Sequence, residues 1–102
     1  MGGERMVETI LGMTATAAGE WAKAEDHYQT AIKQAGELPH RMEQPEARFW
    51  YGKMLLSRRD AGDQEKAAGL LREALAMYRE MGMPRHVEMA EQALLEAGEP
   101  ES

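Results

Sequence analysis

Apolar residues recur at steps of three and four along most of the chain, with polar residues between them, the period of helices that bury one side. Five such stretches are separated by glycine or proline. The first runs over about 4–18, where Met6, Val7, Ile10, Leu11 and Met13 are apolar and the acids Glu4 and Glu8 suit the start of a helix dipole. Gly19 ends it. The second, over 20–35, places Trp21, Ala24, Tyr28, Ala31, Ile32 and Ala35 along one stripe and Glu25, Asp26, Gln29 and Lys33 on the other side, and Gly36 stops it.

"GELPHRMEQPE", residues 36–46, carries two prolines and little periodicity, so it reads as the main connection. Pro45 suits the first turn of a third helix over 45–59, whose "FWYGKMLL" is apolar round most of its circumference and therefore needs cover on more than one side. "RRDAGDQ" is a turn, with Asp63 as the N-cap of a fourth helix over 64–81. Its stripe is Ala67, Leu70, Leu71, Ala74, Leu75, Tyr78 and Met81. Pro84 opens a fifth helix over 84–97, with Val87, Ala90, Leu94 and Ala97 on one side and Glu88, Glu91, Gln92 and Glu96 on the other, a wet face fit to end a stack. The tail, 98–102, is expected to be disordered.

Composition agrees with an all-α chain, because β-branched residues are few (Val7, Thr9, Ile10, Thr14, Thr16, Thr30, Ile32 and Val87). At 102 residues a single domain, 1–102, is expected. There is no cysteine, which excludes disulfides and thiolate chemistry and makes the cytoplasm the expected compartment. The net charge of −6 is spread along the chain without a basic cluster, so nucleic acid is not an expected partner. No apolar run approaches the ~20 residues that span a bilayer, and "MGGERM" has methionine sixth where a myristoylation site has serine or threonine.

One phrase occurs twice. "GEWAKAEDHYQTAI", from Gly19, and "GDQEKAAGLLREAL", from Gly62, share an alanine, a large residue four later and an alanine three after that: Ala24, Tyr28, Ala31 and Ala67, Leu71, Ala74. This resembles the second helix of a tetratricopeptide repeat, in which small residues let two helices of a hairpin approach closely. Leu11, Gly12 and Ala15, then Tyr51, Gly52 and Leu55, stand at the positions of that family's first helix, and Gly12 to Ala24 is its interval of 12. The second copy departs from it: Gly52 to Ala67 is 15, and the glycines are 40 apart where about 34 is usual. The longer unit is similar to the tetratricopeptide arms at the C-terminal end of large bacterial signalling proteins, ATPase-linked regulators and adenylate cyclases, most of all over 50–91. The resemblance implies two helical hairpins plus a C-terminal capping helix, a fragment of an α-solenoid.

It also implies a non-catalytic protein–protein interaction module whose concave groove takes an apolar or amphipathic peptide or helix. The groove would be offered by Met6, Thr9, Met13 and Thr16 from the first helix and Phe49, Lys53 and Leu56 from the third. The arrangement of lysine, asparagine and arginine that holds a C-terminal carboxylate in chaperone-binding members of the family is missing, with Thr9, Met13 and Trp50 in the corresponding places. Several of these residues read equally as core, and either Phe49 or Trp50 serves as an interface anchor or packs under the connection. Self-association through exposed methionine and aromatic surface is the alternative, since nine methionines suit interfaces as well as cores. No cofactor or metal is expected: His27, His40 and His86 are far apart in sequence, and Ser57 lies near a helix end without a nucleophile's neighbours.

Overall fold

The computed structural model describes residues 7–36 and 43–98, which form five α-helices and, among the described residues, no strand. The fold is all-α. α1 is Val7–Ala17, α2 Trp21–Gly36, α3 Glu43–Arg58, α4 Asp63–Met81 and α5 Pro84–Glu96. The helix ends that do not adjoin undescribed residues fall within one residue of those the periodicity predicts. Met6, most of the proline-bearing connection and the tail beyond Gly98 lie outside the described residues.

Short turns fold the helices into hairpins, α1 on α2 and α3 on α4, with α3 also against α2 and α5 against α4. The repeated phrase has one structural meaning in both copies. Gly12 faces the Tyr28 ring, Gly52 faces the Leu71 side chain, and a Cβ at either glycine would come within 2.9 Å of that partner. Ala24, Ala31, Ala67 and Ala74 are all buried, so backbones approach where side chains are small.

Two apolar clusters result. One gathers Ala15, Ala24, Tyr28, Tyr51, Met54, Leu55 and Ala67, with the Tyr28 and Tyr51 rings stacked 5.7 Å apart between the hairpins. The other gathers Phe49, Ala68, Leu71, Ala74, Leu75, Tyr78 and the buried side of α5. Trp50 and Leu56 touch both, which is the cover that an apolar α3 demands.

Two expectations are corrected. Asp63 is not the N-cap of α4: Gly62 holds that position without a side-chain cap, and Asp63 is the first helical residue. Its buried carboxylate turns back to accept two hydrogen bonds from Arg58 (2.8 and 2.9 Å) and one from the Asp60 amide (2.9 Å), a bidentate charged pairing stronger than a cap. In α1 the large apolar residues Ile10, Leu11 and Met13 point outward, while Thr9, Gly12 and Ala15 face the rest of the protein. The close approach of Tyr28 to Gly12 leaves room only for small side chains there.

Candidate functional site

The second half of α3, the turn after it, the start of α4 and the end of α5 enclose an open trough of about 960 Å³. Leu55 and Leu56 form its apolar floor. Lys53, Arg59, Asp60 and Glu96 stand on its rim, two cations and two anions, together with Ser57 and Gln64. Lys53 Nζ donates to Glu96 Oε1 at 3.0 Å across the mouth, and both side chains are solvated enough that the pair adds at most ~1 kcal/mol. Gln64 donates to the Ala97 carbonyl, pinning the end of α5 beside the start of α4.

Arg59 terminates α3 in the left-handed region, with φ of 60°, the position at which helices usually place glycine. A side chain there costs about 1 kcal/mol, and such outliers concentrate where a side chain is used. Its guanidinium is exposed, with a long 3.4 Å contact to the Leu56 carbonyl.

Behind the trough a polar network ties the hairpins together. Arg58 bridges Asp63 and Glu25, reaching Glu25 Oε1 at 3.2 Å. The Tyr51 hydroxyl donates to Glu25 Oε2 at 2.7 Å and accepts from Gln29 at 3.1 Å. Lys66 lies 3.6 Å from Glu25 and 5.1 Å above the Tyr51 ring. The hydrogen bond from Tyr51, then Arg58, holds the Glu25 carboxyl below the usual carboxylate range, and Arg58 does the same for Asp63. Burial raises the Tyr51 phenol. At the far end of α4, Tyr78 donates to Glu46, with the His86 ring 4.9 Å from the tyrosine ring, and burial first and Glu46 second push the Tyr78 phenol up.

Of the residues expected to bind a partner, Lys53 and Leu56 meet in the trough. Met13 is exposed on α1, and Thr16 is half-buried with its hydroxyl on the Gly12 carbonyl at 2.8 Å. Thr9 and Phe49 do not present surface: they are only 2% and 4% exposed. Thr9 faces inward beside the small residues of α1, and Phe49 is drawn into the cluster with α5. Trp50 is half-buried, edge-on to Phe49 at 4.8 Å. Met6 lies outside the described residues. Arg59, Asp60, Gln64 and Glu96 were not foreseen, because Glu96 is 43 residues from its partner Lys53 and no local pattern joins them. The run "RRD" after an apolar helix was the available signal for the first two.

Among the described residues no helix is long and apolar enough to cross a membrane. No family model matches the chain, and neither a curated protein nor a solved structure does.

Proposed function

We propose that the chain is a non-catalytic protein–protein interaction module of tetratricopeptide type, which takes an apolar or amphipathic peptide or helix in the trough between α3 and α5. The observation that carries this reading is the trough itself, with a leucine floor, a charge-balanced rim and a strained arginine kept at its lip. An apolar floor favours a partner's leucine or methionine, and a rim bearing both signs does not select an acidic tail. The network behind it supports a rigid site, so little ordering entropy is lost when a partner docks. In this reading the chain works in the cytoplasm, as the tetratricopeptide arms of bacterial signalling proteins do.

Selection from a displayed library of amphipathic helical and extended apolar peptides tests it. Binders are expected whose affinity drops at least ~10-fold in Leu56→Glu, about 1.4 kcal/mol, and is unchanged in Ala76→Glu on the exposed side of α4. Recovery of no binder that depends on Leu56 overturns it.

A further inference from the structure

The outer face of α1 is unlike every other helix surface. Ile10, Leu11 and Met13 are 54%, 40% and 36% exposed, Thr14 and Ala17 lie between them, and no charged residue interrupts the five. The exposed sides of α2, α4 and α5 instead carry Lys23 and Asp26, Glu65 and Arg79, Glu88 and Glu96. The one polar group in the patch is already satisfied, since the Thr14 hydroxyl donates to the Ile10 carbonyl at 3.0 Å. Covering it would strand no donor.

Two residues of this face have counterparts in the chain's second copy that lie under a neighbour. A shift of 40, which carries Gly12 onto Gly52, carries Leu11 onto Tyr51 and Thr14 onto Met54. Both of those are buried in the cluster shared with the preceding hairpin. Leu11 and Thr14 have no such cover among the described residues. At the other end the corresponding site is taken: α5 packs on α4 as α3 packs on α2, which blocks head-to-tail addition of further copies.

We propose that the uncharged face of α1 is a homodimer interface, in which two copies meet α1 to α1 about a two-fold axis. An isologous contact must be self-complementary, and a chain of net charge −6 avoids setting like charges together by meeting on this face. The spacing of Ile10, Thr14 and Ala17, four then three, is the seam of a paired helix, with small residues that allow close approach. A helix of 11 residues is ~16 Å long and offers well under the ~800 Å² per partner of a standard interface, so the pair is weak and concentration-dependent. It uses Ile10 and Leu11, neither of which lines the trough, and stands whether or not the trough binds a peptide.

Sedimentation equilibrium of the full chain from about 10 µM to about 1 mM is the test. The weight-average mass is expected to rise from 11.4 kDa toward twice that value. Ile10→Lys with Leu11→Lys is expected to hold the monomer mass throughout, with unchanged circular dichroism, and Met89→Lys on α5 to associate like the parent. Ala17→Glu, at the end of the helix, serves as the second disrupting variant should the double change reduce helicity. Because the chain lacks cysteine, oxidised Thr14→Cys is expected to give a covalent dimer and Gln92→Cys none. A parent chain monomeric at every concentration, association that survives the α1 changes, or growth beyond the dimer overturns the proposal.

Discussion

A methyl group added at Gly52 would stand 2.9 Å from Leu71 Cγ and 3.4 Å from the Ala67 carbonyl, whereas one added at Gly69 meets nothing within 4 Å. The two glycines therefore answer the same substitution with opposite signs. Gly52→Ala is expected to destabilise the protein by about 1–3 kcal/mol through overpacking, and Gly69→Ala to stabilise it by about 0.5–1 kcal/mol through helix propensity. Urea midpoints for the two variants check this. Arg59 gives a third residue-scale outcome: relief of its left-handed conformation in Arg59→Gly is expected to raise stability by about 0.5–1 kcal/mol, read in the same titration. If the strain serves binding, that gain is accompanied by weaker capture of trough peptides.

Between elements, Arg58 is the joint of the fold, since its guanidinium holds the first residue of α4 and a carboxylate of α2 at once. Arg58→Met leaves the buried Asp63 charge unpaired and is expected to cost about 3–5 kcal/mol in chemical denaturation. The carboxyls of Asp63 and Glu25 are both depressed in the folded chain, so the unfolded chain binds protons first as the medium is acidified. Their stabilisation is complete above the unfolded carboxylate range and is lost as pH falls below about 4. Thermal melts should be level near neutrality and drop in acid, and Asp63→Asn should flatten that drop while lowering the plateau. The helices themselves were legible because period, glycine stops and the doubled Ala24 and Ala67 phrase all act locally. The inward side of α1 was not, because apolar size pointed to Ile10 and Leu11 while the fit to Tyr28 required Gly12 and Ala15. Likewise Lys53 and Leu56 could be placed on α3, but their partners Gln64 and Glu96 reach the trough only through the packing of α4 and α5.

For the molecule as a whole, α5 closes the second cluster over Phe49, Leu75 and Tyr78. A chain ending at Gly82 would bare those three side chains, each worth about 1.5–3 kcal/mol when buried, a large share of a small domain's stability. Loss of the cooperative thermal transition is the expected result. The indole of Trp50 touches both clusters, and its emission therefore depends on the two halves of the protein together. With Trp21 changed to phenylalanine, fluorescence from that one ring becomes an optical gauge of whether the hairpins melt in unison or in sequence.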